Sequence, residues 1–185
     1  PASAATLLLE PSTLTPVAGQ TFTVTVSIED VFGSVLLPGD AELISFGFDA
    51  VASNSLVSFV SAEVDPAWDT FAGADADAVG IVLFGFTDPV TEPLRLAVLT
   101  FLAGPTPGSV DVGVATDVFS LDQSLVFFSL DEGFFFEALD GTVGVTVTEA
   151  AEQPVPEPGT WILSMAGLLG LAGSRWFRSR HAGRA

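Results

Sequence analysis

Between Thr21 and Glu29 the chain alternates with a period of two. Phe22, Val24, Val26 and Ile28 fall on one side, and Thr21, Thr23, Thr25 and Ser27 on the other. Successive side chains of a strand point to opposite faces, so this is the pattern of a β-strand with one buried face. Residues 142–148 repeat it, and further strands are predicted at residues 5–9, 43–48, 56–63, 81–86, 94–102 and 109–114. The segment 94–102 is apolar on both faces, which suits a central strand. Pro11, Pro16 with Gly19, Pro38-Gly39, Pro89, Pro93, Pro105 with Pro107, and Gly141 separate these segments as turns. No stretch of 5–150 looks helical over any length. Many short strands with such punctuation predict an all-β sandwich rather than a parallel α/β sheet.

Residues 115–140 read as a long, phenylalanine-rich loop before the last strand. Phe127-Phe128 and Phe134-Phe135-Phe136 would place rings on both faces of any strand they form. One face can be core; the other must meet another segment or another molecule. These five residues are the candidate interaction patch.

The pattern changes completely after residue 150. A linker, 151–159, contains Val155-Pro156-Glu157-Pro158-Gly159 and leads into an uncharged run from Trp161 to Ser174. A helix over 160–177 would reach ~27 Å at ~1.5 Å per residue, close to the ~30 Å hydrocarbon thickness of a bilayer. Trp161 and Trp176 stand at its two ends, where amphipathic rings favour the membrane interface, and Arg175 can snorkel. Arg178 and Arg180 follow in a basic tip, 178–185, which predicts a cytoplasmic C-terminus with everything before Pro156 outside. Proline motif, apolar helix and arginine cluster together resemble the PEP-CTERM sorting segment of exosortase substrates. That resemblance implies a Gram-negative chain exported to the envelope or beyond, anchored transiently in the inner membrane, and cleaved by an exosortase-type enzyme near Pro156-Glu157-Pro158. At the other end, Ala2-Ser3-Ala4 has the small-x-small form of a signal-peptidase site, so residues 1–4 are expected to be the end of a signal peptide.

Charge separates the same regions. Residues 1–152 hold 22 acids and one base, Arg95, a net −21, while residues 153–185 hold one acid and four arginines, +3. Such a domain is repelled by nucleic acid and by its own copies at low salt, and it attracts divalent cations or basic partners. With no Cys in the chain, the core must hold the fold without disulfides.

The order of segments in residues 5–150 is similar to that of a cohesin domain. Thr15-Pro16-Val17-Ala18-Gly19-Gln20-Thr21-Phe22 resembles the family's opening Pro-Gly strand. Ile44 to Asp49 followed by Leu56 to Ala62, then 94–101, and Asp140-Gly141-Thr142-Val143-Gly144-Val145 resemble later strands of the family in order. The resemblance implies a jelly-roll sandwich of about nine strands that binds another molecule and catalyses nothing. Cohesins that bind dockerins commonly carry polar residues where Ala41 and Leu43 stand here, and residues 50–54 read as an insertion after Asp49. Dockerin binding is therefore not carried over.

Composition argues against most catalysis. His181, in the basic tip, is the only histidine, and the domain lacks Cys, Lys and Tyr. Ser-His triads, thiol nucleophiles and His-ligated zinc need those residues. Glu63, Asp65 and Asp69, with Trp68 as a sugar-stacking ring or a core plug, are what remains for a glycosidase. No cofactor is expected, calcium excepted. Asp75 and Asp77 with Gly80 match positions 1, 3 and 6 of a calcium loop, but Val79 and Phe86 occupy positions 5 and 12. Two functions remain open: association with an envelope or matrix protein, or with a second copy, and binding of polysaccharide. Planar aromatic rows would favour sugar, and an apolar patch edged by acids would favour protein.

Overall fold

In the computed structural model, residues 5–32, 40–70, 76–86, 93–117 and 122–150 are described. All regular structure among them is β. The strands are β1 (Thr6–Pro11), β2 (Thr21–Glu29), β3 (Glu42–Ala52), β4 (Val57–Val64), β5 (Asp69–Thr70), β6 (Ala78–Phe86), β7 (Leu94–Ala103), β8 (Gly108–Ala115), β9 (Leu125–Ser129), β10 (Gly133–Glu137) and β11 (Gly141–Val147). They form the two sheets of a sandwich, and every strand pair is antiparallel.

The first sheet runs β1-β2-β7-β4. Its alternation follows the sequence: Phe22, Val24, Val26 and Ile28 are buried while the threonines between them stay partly or fully exposed. Strand β7 is central, as its two apolar faces predict. A register shift opposite Val26 and Ser27 inserts Leu96 into β7, so Leu96 and Ala97 are buried consecutively. A second shift, between Phe59 and Ser61, turns Val60 out to solvent and explains an exposed valine within β4.

The second sheet is built on β3. Its first half lies between β9 and β6, with Phe46 opposite Leu125 on one side and Gly80 on the other. Its last residues, Asp49 to Ala52, pair with β8, which in turn pairs with β11. The segment expected to be an inserted turn after Asp49 therefore begins as a continuation of the strand, and the turn comes only at Ser53. The change of partner is possible because residue 47 is glycine. A Cβ there would lie 1.8 Å from the Asp122 carbonyl oxygen, and the Gly47 N–H donates to the Ser124 carbonyl at 3.0 Å.

Between the sheets, Phe46, Phe48, Phe101 and Phe127 are fully buried with Ile28, Leu43, Leu96, Leu99 and Leu125. Each such side chain contributes ~1.5–3 kcal/mol by leaving water. The region expected to be a long loop, 115–140, instead contains β9 and β10, which extend the second sheet by two strands.

The chain divides into two units, Pro1–Ala150 and Ala151–Ala185. Pro156, Glu157, Pro158, Trp161, Arg175, Trp176, Arg178 and Arg180 all lie outside the described residues. Among the described residues no helix is long and apolar enough to cross a membrane.

Candidate interaction surface

Strands β9 and β10 form a hairpin whose register sets Phe134 opposite Phe128, Phe135 opposite Phe127, and Phe136 opposite Val126. The three-residue turn, Leu130-Asp131-Glu132, ends at Gly133 with φ +89°, a left-handed position that glycine adopts without steric cost. Ser129, fully buried, organises this turn. Its hydroxyl donates to the Asp40 carboxylate at 2.9 Å and accepts from the Asp131 and Glu132 N–H groups at 3.3 and 3.4 Å. Asp40 also accepts from the Leu130 N–H at 3.2 Å. The turn is thus tied to the start of β3 by a carboxylate.

Alternation along the hairpin then divides the five phenylalanines. Phe127 is buried in the core, with its ring edge-on to Phe32 at 6.0 Å, and Phe135 packs against that core from β10. Phe127 therefore leaves the expected five-residue patch for the core, and Phe135 is partly covered against it. Phe134 is 59% exposed and Phe136 38%, and both project from the outer face beside Phe128, whose ring lies 5.2 Å from that of Phe134. Leu130, 87% exposed, stands at the tip. Its exposure was not legible in the sequence, because a single leucine after a buried strand has no periodic signal. Among the described residues, strand β10 ends the order of its sheet. Asp131 and Glu132 flank the tip, and Glu42 sits opposite Phe128 on β3. The result is an apolar edge bordered by acids. The Phe128 and Phe134 rings are inclined at 51°, so they do not make the flat platform on which a sugar ring stacks.

Other candidate residues take structural positions. Trp68 is buried, edge-on to Phe46 at 4.8 Å and inclined on Phe86 at 4.9 Å, and its indole N–H donates to the Arg95 carbonyl at 3.2 Å. It is a core residue rather than a stacking platform. Asp65 is ion-paired with Arg95 and accepts the Ala67 N–H at 2.9 Å. Burial pushes its carboxyl up, but the Ala67 N–H and the Arg95 guanidinium outweigh this and hold it below the usual carboxylate range. Glu63, Asp65 and Arg95 line a cleft of ≈ 160 Å³, smaller than the ~300 Å³ at which small-molecule sites begin.

Asp77 accepts the Ala50 N–H at 2.9 Å, and its own N–H donates to Asp49 at 3.3 Å. Gln123 donates to the second Asp49 oxygen at 3.1 Å. Asp77 thus caps the exposed edge of β3 just beyond the pairing of Phe48 with Ala78. Asp75 lies outside the described residues. Among the described residues no group of three or more His, Cys, Asp or Glu side chains is placed to hold a metal ion.

Residues 154–178 match the PEP-CTERM protein-sorting motif. No curated protein sequence matches the chain. Among solved structures the fold is similar to a cohesin module of a family 33 glycoside hydrolase from Clostridium perfringens ATCC13124. The TM-score is 0.48 at 12% identity, over 80% of this chain and 97% of that one. The tail read from the sequence as a sorting segment thus has a counterpart in a family model. The structural likeness is too distant to carry residue roles. The sorting motif marks this chain as exported, held transiently at a membrane, and processed by an exosortase-type system.

Proposed function

We propose that this is a non-enzymatic surface or matrix protein whose sandwich associates with another protein through the outer face of the β9–β10 hairpin. The observation that carries this reading is the exposure of Phe134, Phe136 and Leu130 on an edge hairpin. Fully burying a large apolar side chain is worth ~1.5–3 kcal/mol, and a partner recovers the share of this that matches the area each of the three leaves in water. The border of Asp131, Glu132 and Glu42 favours a partner with an apolar centre and a basic rim, because opposite charges speed and orient the encounter. Residues 1–152, 22 acids against one base and so net −21, repel their own copies, so an envelope or matrix protein is preferred over a second copy.

Several features support a non-catalytic role. The Ala67 N–H and Arg95 hold Asp65 below the usual carboxylate range, whereas a glycosidase needs one carboxylic acid with a raised pKa beside a second carboxylate. Trp68, the ring best suited to a sugar, is inside the core.

Binding of the purified protein to isolated matrix tests the reading. Retention is expected to disappear when the matrix is pretreated with protease and to survive periodate oxidation of its polysaccharide. The reverse pattern overturns the protein-partner reading in favour of polysaccharide binding.

A further inference from the structure

The start of β1 and the end of β10 meet at Ala5 and Glu137. Glu137 closes β10 opposite Leu125, on the face that carries Phe135 inward, and it is half-buried. The Ala5 N–H donates to its carboxylate. Its Oε2 is nevertheless buried with no hydrogen-bond partner, the single such side-chain atom among the described residues. A carboxylate oxygen desolvated in this way costs free energy unless a donor reaches it. Burial pushes the Glu137 carboxyl above its ordinary value, with the Ala5 N–H acting against that. Neighbouring strands offer no cation: β9 and β11 carry no titratable residue, β1 only Glu10 at its far end, β2 Glu29 opposite Thr6, and β3 Glu42 and Asp49. Immediately before Ala5 stands Ala2-Ser3-Ala4, the small-x-small pattern a signal peptidase reads.

We propose that cleavage between Ala4 and Ala5 is a maturation step that completes the Glu137 site: the new α-ammonium of Ala5 pairs with the Glu137 carboxylate. In the cleavage, water adds across the Ala4–Ala5 amide. The Ala4 acyl carbon keeps the oxygen as a carboxylate, and the Ala5 nitrogen leaves as an amine that takes up a proton. One N–H donor becomes three, enough to serve both carboxylate oxygens, and the charge falls where burial left a carboxylate uncompensated. The peptide removed on export thus leaves behind a structural ion pair that the uncut chain lacks.

The pH dependence follows from linkage. The ammonium, its pKa raised by the carboxylate, stabilises fully below its ordinary value of about 8 and ceases to do so as pH rises through the higher folded value. Burial raises the Glu137 carboxyl in the uncut chain and the ammonium draws it back down, so the added stability is present where the carboxylate is ionised and is lost as pH falls and Glu137 takes up its proton. The added stability therefore occupies the window between.

Two measurements test the proposal. N-terminal sequencing of the exported protein should read Ala5 first; any other mature N-terminus overturns it. A chain released to begin at Ala5 should also melt about 2–4 °C above one beginning at Pro1 near pH 6.5. That difference should vanish above pH 10 and in paired Glu137→Gln variants, which keep the side chain's shape without its charge. A difference that persists unchanged in Glu137→Gln, or no difference at all near pH 6.5, contradicts it.

Discussion

Trp68 combines a large apolar ring with one polar atom, and both are accommodated. The ring fills the space between Phe46 and Phe86, while the indole N–H is taken by the Arg95 carbonyl. Trp68→Ala is expected to cost ~3–5 kcal/mol, measured as a fall in the urea midpoint. The same sequence context, a tryptophan among Asp65, Pro66 and Asp69, suits a sugar platform equally well, so only the packing separates the two roles. Asp65 teaches a similar lesson about charge. Its depressed pKa contributes stability that is present above the unfolded value and lost as pH falls through the folded one. Since Arg95 is half exposed, solvent screens the pair, and Arg95→Met is expected to cost less than ~1 kcal/mol. Asp77 was legible in the sequence as one acid of a loop. Its contact with the Ala50 N–H was not, because it joins residues 27 positions apart. Asp77→Ala should lower stability by ~1 kcal/mol, equally in Mg²⁺ and Ca²⁺. A loss confined to Ca²⁺ solutions would instead assign Asp77 to a calcium site.

At the scale of elements, period-two alternation located β2 and β11 well, and an apolar run on both faces marked β7 as central, because each keeps the same partner strands along its length. It failed where a strand changes partners or carries a bulge. Strand β3 continues past Asp49 to reach β8, and Val60 is turned outward by a register shift. The β9–β10 hairpin was missed as regular structure because consecutive phenylalanines erase the alternation from which a strand is recognised. Only the register, with Phe135 inward and Phe134 and Phe136 outward, restores it. The candidate site was thus legible as a cluster of rings but not as a division between core and surface. Its turn depends on Gly133. Gly133→Ala forces a side chain into the left-handed region and is expected to cost ~1–2 kcal/mol, read as a lower melting temperature and faster amide exchange in β10.

For the whole molecule, charge is the governing quantity. With 22 acids and one base before residue 153, mutual repulsion destabilises the compact state, and salt relieves it. The melting temperature should therefore rise from 10 mM to 500 mM NaCl, and self-association, if it is seen in sedimentation, should appear only at the high-salt end. The sorting motif at residues 154–178 places the second determinant at the opposite end of the chain from the proposed Ala5 terminus. Mass spectrometry of the exported pool should find C-termini near Glu157, whereas intact chains ending at Ala185 would contradict processing there.

The central claim is that the outer face of the β9–β10 hairpin is the contact surface. It is tested most directly by comparing retention of the native protein and a Phe134→Ser/Phe136→Ser variant on the protease-sensitive matrix fraction. Phe134 is 59% exposed but Phe136 only 38%, opposite the buried Val126, so the variant is expected to melt somewhat below the native protein and is compared at a temperature where both are fully folded. Its affinity should fall at least about tenfold, a loss of ~1.4 kcal/mol or more. Equal retention of the two proteins, with both fully folded, would contradict the account.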